Sequence, residues 1–516
     1  MLKKSIIIFF LLLSKLISAQ GFKVKEYISN SLNNTSKTIF EIAPRQYIGG
    51  GFTIDPLLGT RLSLTGIDTT GHIKWIKHYG DTSFQHVDNF LITRYFMKHG
   101  NNLYYTGALR DKNPRAFGIL MKFNFNGDTL WQKIFRSADT LEDLIPQRVT
   151  ASVDGGFLIT GWFQYWGSNS SRKLLILKTD ANGNELWRKQ INKGNPNVQD
   201  GKGIIQDSAT KKIAIVGYQY LVTNTGFNTY DNIVILDSLG NYIASTSRIF
   251  GLGGALLDLI QTKDKKLVAC GYKIVSTVNG GSTNLYKSYA LKFDFNNPYS
   301  PIWTIDDFDV LNPGNGFSSV DELPNGDLIF GGGIDTGAYS IKNSFQRIAK
   351  FDKDGSLIYK KYYNYKTNSN TIANAQGMMS LLASSDGGML AAFHQSNSNP
   401  NPFFFVKYDA NGCDTTLAYC NTLLFDNVLP KENSLFTVFP NPAHDFIYLQ
   451  FIGQQSKHLY KITITNCIGE LQLNLNVNPR LQNNQIVNIG LLKSGIYLLQ
   501  LWENDKMIST QKLIKN

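Results

Sequence analysis

The sequence predicts an all-β chain: a seven-bladed β-propeller followed by a small Ig-like β-sandwich. Three observations lead there. A glycine returns at a near-constant step through most of the 516 residues. The composition is that of sheet rather than helix, with 12% aromatic residues, 45 glycines and few long helical patterns. Beyond Gly412 the period stops, and short alternating segments of another design take over.

The first 19 residues stand outside the fold. Lys3 and Lys4 make a charged start, Ser5 to Leu13 an apolar stretch, and Ile17-Ser18-Ala19 ends on a small residue. This is the pattern of a secretory leader. It is shorter than the about 20 apolar residues a membrane-spanning helix needs, and Lys15 interrupts it. The expected mature chain starts at Gln20.

The repeat occupies residues 20–420. Gly71, Gly127, Gly183 and Gly240 are 56, 56 and 57 residues apart, and Gly355 and Gly412 are again 57 apart. Asn297 fills the missing beat, and Asn is the other residue that tolerates a left-handed backbone. A period of this length is one supersecondary unit copied many times. The third copy reads most clearly. Val149 to Ser152, Phe157 to Trp162, Lys173 to Thr179 and Glu185 to Ile191 are its expected strands. Asp154-Gly155-Gly156 and Asp180-Ala181-Asn182-Gly183-Asn184 are its tight turns. Four antiparallel strands in one period make a propeller blade.

Four last strands carry an aromatic residue four places after the glycine: Trp75, Trp131, Trp187 and Tyr359; Trp303 takes this part in the fifth copy with two extra residues, and the fourth has Ala244 there. Lys77, Lys133, Lys189 and Lys361 follow two places later. Alternation predicts that these lysines point to solvent and blunt an exposed edge. Gly107, Gly161, Gly217 and Gly271 read as the ends of second strands, and Gly50-Gly51 and Gly331-Gly332-Gly333 as strand-end glycines. Lys23-Val24-Lys25-Glu26-Tyr27 repeats the lysine and aromatic spacing of a last strand, whereas the seventh copy lacks one of its own. Residues 22–28 are therefore expected to close the last blade.

Composition excludes several classes. The net charge is +12, but the lysines are scattered without runs, which argues against nucleic-acid binding. The seven histidines form no HxH or HExxH, and the four cysteines (Cys270, Cys413, Cys420, Cys467) lack metal-ligand spacing. Cys270 reads as a small buried hydrophobe; Cys413 and Cys420 are near enough in sequence to pair. The Asp-rich hairpins resemble the front of a calcium loop, but the place of its closing glutamate holds Ile191 or Tyr363. Turn formation accounts for these acids, so no metal and no cofactor is expected. Nothing resembles a nucleophile elbow or a phosphate loop, and no catalytic residue is assigned.

Aromatic residues between second and third strands are the ligand-binding candidates. Tyr165 and Trp166 adjoin Gly167-Ser168-Asn169-Ser170-Ser171 and can stack on a sugar ring or a protein partner. Tyr218 and Tyr220 hold the corresponding place in the fourth copy, whereas Trp162 and Phe403 to Phe405 suit packing between blades.

Residues 421–434, with Pro430, Lys431 and Asn433, read as a linker. About seven alternating segments then fill residues 435–516, the count of a small sandwich. Phe439-Pro440-Asn441-Pro442, the turn ending at Gly469, Gly495-Ile496-Tyr497 and the Lys512-Leu513-Ile514-Lys515 end occur there in order. This segment resembles the type A C-terminal sorting domain of the type IX secretion system of Bacteroidota. The departures are Phe439, Asn466 and Glu470, where the family has Tyr, Asp and Lys. The resemblance implies export across the outer membrane, with the secretion machinery as partner and a secreted or cell-surface destination. The repeat region looks, more loosely, like propeller repeats of secreted proteins of that phylum.

Together these readings describe a secreted or cell-surface propeller that binds a glycan or a protein. A hydrolytic enzyme with acids or histidines in the central channel is the alternative. A structural or adhesive extracellular component is the third reading.

Overall fold

The computed structural model describes residues 21–26, 33–80, 83–87, 94–111, 115–139, 141–165, 172–191, 198–223, 226–248, 253–278, 283–312, 316–336, 343–363, 376–395, 402–414, 436–439, 441, 443–451, 460–466, 470–477, 484–503 and 506–515. The leader, the linker, Trp166, Pro440, Pro442, Gly469, Cys420 and Cys467 lie outside them. Every named element is a strand. The chain divides into two compact units, Met1–Leu424 and Phe425–Asn516.

The first unit is a β-propeller-like succession of four-stranded antiparallel sheets in chain order. The first sheet holds Asn33–Ala43, Gln46–Asp55, Gly59–Ile67 and Ile73–Tyr79. In the second, Asn102–Arg110, Ala116–Phe123 and Thr129–Phe135 follow a first strand split into Gln85–His86 and Phe96–His99. The third (Glu142–Ala151, Phe157–Tyr165, Arg172–Thr179, Glu185–Ile191) and fourth (Val198–Gln206, Ile213–Thr223, Gly226–Leu236, Tyr242–Arg248) are joined at one parallel bridge, Arg172 to Val198. The fifth holds Gly253–Gln261, Leu267–Val278, Thr283–Phe293 and Trp303–Asn312, and the sixth Gly316–Glu322, Leu328–Thr336, Asn343–Phe351 and Leu357–Tyr363. The last sheet has Gln376–Ala383, Met389–Gln395 and Phe403–Tyr408, and its fourth strand is Phe22–Glu26, paired antiparallel with Phe403–Tyr408. The first strand of each sheet neighbours that of the next, and the first strand of the last sheet neighbours Asn33–Ala43.

The periodic glycine has two tasks. At Gly183 φ is 79°, the left-handed region the hairpin requires. A Cβ there would also lie 2.7 Å from the ring of Trp131, in the preceding sheet. Trp75 meets Gly127, Trp187 meets Gly240, and Trp303 meets Gly355 in the same way. The lysines of the last strands take part rather than simply entering solvent. Lys77 Nζ lies 2.7 Å from Asp128, Lys133 Nζ donates to Asn184 at 2.9 Å, and Lys189 Nζ donates to Asn241 at 2.6 Å. Each acceptor follows the glycine of the next sheet's hairpin. Aromatic and lysine of one sheet thus clasp the turn of its neighbour.

Phe22 occupies the aromatic place of this clasp, against Gly71. It pairs with Lys407 as Trp187 pairs with Lys178. The last-strand spacing read at Lys25 and Tyr27 is therefore out by one residue.

A second correction concerns Gly161, Gly217 and Gly271, which lie inside their strands rather than at the ends. Each faces a β-bulge in the first strand, where a Cβ would stand 2.1, 1.8 and 1.9 Å from the carbonyl oxygens of Ile145, Asp200 and Ala255. Gly51 and Gly332 do the same opposite Thr35 and Gly316. A buried lysine on third strands was not foreseen. Lys178 Nζ reaches Asp154 in the first hairpin, Lys407 reaches Asp386 at 2.7 Å, and Lys292 reaches Asp264 at 2.7 Å. The turn aspartates are therefore ion-paired as well as turn-forming.

Apolar clusters fill the spaces between neighbouring sheets. Trp162 packs with Ala108, Ala116 and Ile145, and Phe403 and Phe405 pack with Ile39 and Tyr47. Cys270 is buried among Val268, Phe317 and Phe330. Cys413 is disulfide-bonded.

The second unit has two sheets. One holds Phe436–Phe439, Phe446–Phe451 and Asn484–Asn488; the other holds Leu471–Val477, Tyr460–Asn466, Gly495–Glu503 and Lys506–Lys515. Ile447, Leu449 and Val487 of one share a core with Ile462, Ile464, Leu499, Leu501 and Leu513 of the other.

Candidate functional site

Where the first strands meet, the bulges and the residues beside them bring charged side chains together. The bulges fall at Lys37, Gln147, Lys202, Leu257, Ser318 and Met379. An extra residue in a paired strand turns side chains off the normal alternation. Here it directs polar groups into a place where strict alternation would have put apolar ones.

Asp258 is the hub, with no exposed surface. Its Oδ2 lies 3.1 Å from Arg94 and its Oδ1 3.2 Å from Arg148. Oδ2 also accepts the Val320 N–H at 2.9 Å, and Oδ1 the Leu259 N–H at 2.9 Å. Arg94 spans several sheets, donating to Ser319 Oγ at 3.0 Å and to the carbonyls of Val320 and Leu381 at 2.5 and 3.2 Å. Burial, set against the neighbouring Asp258 and reinforced by Arg94, lowers the Arg148 pKa to about 10. Arg148 still stays charged at neutral pH.

Two smaller sets adjoin it. Lys202 Nζ lies 3.1 Å from Asp200 and donates to Gln147 Oε1 at 2.9 Å. Tyr218 donates its hydroxyl to Asp200 at 2.9 Å, so this tyrosine, a ligand candidate by sequence position, is a buried part of the network. Asp321 accepts the Ala383 N–H at 2.9 Å and the Glu322 N–H at 3.0 Å, and burial raises its pKa.

A catalytic carboxylate must reach its substrate. Both oxygens of Asp258 are occupied by protein donors and closed to solvent. The cluster is arranged as cement between sheets. Sequence reasoning missed Arg94, Arg148, Lys202 and Asp258. A signal existed, since Gln147 and Lys202 are 55 residues apart and lie 14 and 15 residues before the second-strand glycines Gly161 and Gly217.

The exposed candidates lie elsewhere. Antiparallel order puts the hairpins between first and second strands, and between third and fourth, at one end of each sheet. The connections between second and third strands, and from sheet to sheet, lie at the other end. At the hairpin end the carboxylates are engaged in turns: Asp180 Oδ1 accepts the N–H groups of Asn182 and Asn184 at 2.9 and 2.7 Å. Among the described residues no cluster suited to a metal occurs.

Tyr165 is at the connection end, closing the second strand of the third sheet, and is 38% exposed. It pairs across the strands with Glu142, whose carboxylate accepts Gln190 Nε2 at 3.2 Å. Beneath it Arg172 lies 4.2 Å from the Trp162 ring centroid and donates to Gln164 at 3.3 Å. An exposed ring with acid, amide and guanidinium groups nearby has the chemistry to bind hydroxyl-rich or peptide ligands.

In the second unit Asn441 ties its loop to the final strand. Its Nδ2 donates to the Lys512 carbonyl at 2.6 Å, and its Oδ1 accepts the Ile514 N–H at 2.8 Å. Phe439 pairs with Tyr448. Gly495 pairs with Lys515, Ile496 with Ile514, and Tyr497, buried, with Leu513. Asn466 binds its own turn through Glu470 and pairs with Tyr497.

Comparison with known proteins agrees with this second unit. The family described as "Secretion system C-terminal sorting domain" matches residues 437–516. This tail indicates export by type IX secretion to the cell surface or beyond, and with it interaction with the secretion machinery. No curated protein matches the chain. Among solved structures it is similar to a protein of unknown function from Dyadobacter fermentans, at 8% identity and TM-score 0.39, covering 76% of this chain and 97% of that one. It is similar to a puromycin hydrolase at 9% identity and TM-score 0.42, covering 91% of this chain and 59% of the other. The β-propeller domain of the trilobed protease from Pyrococcus furiosus is also similar, at 10% identity and TM-score 0.28, covering 63% and 98%. Among the described residues no helix is long and apolar enough to cross a membrane.

Proposed function

We propose that this chain is an exported binding protein. In this reading the first unit is a closed seven-bladed β-propeller, with Phe22–Glu26 as the outer strand of the last blade. An Ig-like sandwich serves as its sorting tail. The neighbouring of first strands all the way round, and the clasp of Phe22 on Gly71, support the closed ring. The ligand, a glycan or a protein, binds at the connection end, where Tyr165 lies; Trp166, next in sequence, is the second candidate contact.

The observation that carries binding over catalysis is the state of Asp258. A hydrolase on such a scaffold would use acids in the central channel; here Asp258 is buried between two guanidinium groups, Asp200 is held by Lys202 and Tyr218, and Asp321 accepts two backbone N–H groups. The exposed chemistry is aromatic and lies at the sheet ends. Fold alone leaves function open, so the reading rests on these side chains.

The test is a glycan array and a surface-protein capture with the mature chain, wild type beside Tyr165→Ala. Specific retention lost in the variant, at unchanged melting temperature, supports the proposal. Turnover of a polysaccharide without retained binding would replace it with the enzyme reading.

A further inference from the structure

We infer that the outer face of the four-stranded sheet in the second unit is the surface by which the secretion machinery reads the folded tail. This rests on the export reading and adds to it a place and a chemistry.

Cross-strand pairing fixes which side chains share that face. Leu471 pairs with Thr465, Thr465 with Leu498, and Leu498 with Lys512, a single row across all four strands. Ile496 and Ile514 pair two residues further along and lie on the same side. The alternate residues Tyr497, Leu499 and Leu513 enter the core, so the row faces outward. Leu471 is 56% exposed, Leu498 42% and Ile496 50%. Core packing does not account for apolar side chains left in water on one contiguous face; a partner does.

The charge on this face narrows the partner. Lys461 and Lys512 lie on it, and its described outward positions carry no carboxylate. The complementary surface is apolar and bears an acidic group opposite Lys512. The outer face of the other sheet also exposes Phe446, Tyr448 and Ile486, without a lysine in its described positions.

Its construction suits a signal read only after folding. Leu471 follows the turn that Asn466 closes on Glu470, Leu498 and Ile496 come from a strand some 25 residues later in sequence, and Lys512 from the last strand. Asn441 bonds the backbone of that last strand on both sides of Leu513. Four segments must be assembled before the patch exists.

The experiment follows the full chain in a host with this secretion route, by surface protease accessibility and periplasmic retention. Leu498→Glu with Ile496→Glu should lower the exported fraction at least tenfold and leave protein in the periplasm. Ile486→Glu with Tyr448→Glu, on the other face, should be exported normally. Melting of the purified chains separates docking from folding, and Lys512→Glu, at a part-buried residue of the same row, repeats the test without touching an apolar side chain. Normal export of Leu498→Glu/Ile496→Glu and Lys512→Glu, or equal loss from both faces, overturns the proposal. Deletion of residues 437–516 is the separate control: export that survives it removes the sorting reading itself.

Discussion

The ring of Trp131 rests on Gly183, the positive-φ residue of the next sheet's hairpin, at a distance that leaves no room for a methyl group. The same contact joins Trp75 to Gly127 and Trp187 to Gly240, so one sequence period encodes the joint between neighbours as well as the strands themselves.

Two substitutions test this joint. Gly183→Ala forces an L-residue into the left-handed region, which costs about 1–2 kcal/mol, and drives a methyl group into the indole. Trp131→Ala removes the ring and is expected to cost about 2–4 kcal/mol, near the lower part of the range for buried tryptophan because the ring is only half-buried. Thermal or urea unfolding checks both. The double variant should fall well short of the sum, because the two residues share one contact.

Asp258 gives a sharper test of the central cluster. Asp258→Asn leaves Arg94 and Arg148 buried without their counter-charge, and the expected loss is about 3–5 kcal/mol. Binding at the connection end should survive at temperatures where the variant is folded. Loss of a chemical activity at intact stability would instead make Asp258 a catalytic residue.

His86 predicts a pH dependence. Burial lowers its pKa from 6.5 to about 3, and its Nδ1 lies 3.2 Å from the Tyr105 hydroxyl. Between those values the unfolded chain binds a proton that the folded chain refuses, so stability falls as pH drops from about 6.5 towards 3. His86→Phe should flatten that part of a stability-against-pH curve. A separate fall is expected between pH 4 and 2 from Asp154. Burial opposes its ionised form, but Lys178, Ser152 and the Gly156 N–H outweigh it and hold the pKa at about 2. Asp154→Asn should reduce that acid-side slope.

The strand Phe22–Glu26 predicts the effect of its own removal. Removing residues 21–26 exposes the edge of Phe403–Tyr408 and empties the place against Gly71. The expected outcome is a lower melting temperature and a concentration-dependent tendency to associate through the open edge. Phe22→Ala should reproduce the stability loss with the edge still covered. Calorimetry and light scattering separate the two effects.

Much of the fold is legible in the chain itself. The strand Glu185–Ile191 and the hairpin Asp180–Asn184 stand where the third copy placed them, because a turn glycine and alternating side chains are local signals. The alternating segments after residue 435 likewise became strands, and the family match on residues 437–516 agrees with the resemblance read from Phe439-Pro440-Asn441-Pro442 onward. Lys77 shows the limit of such reading. Alternation alone points it to solvent, but it shares the face of Trp75 and Tyr79, and its partner Asp128 is 51 residues away in another sheet.

The sequence by itself determined the repeat, the class of fold and the sorting tail, since each is written in spacing along one segment. The tertiary structure decided which side chains meet. Bulges at Gln147 and Lys202 break the alternation and turn polar groups inward, which a count of twos does not foresee. The hub at Asp258 draws Arg94, Arg148 and Val320 from three different sheets. Local pattern specifies strands because backbone geometry is local. A charge cluster depends on how the sheets come together, and that is set by the packing of Trp131 on Gly183 and its counterparts between neighbouring sheets.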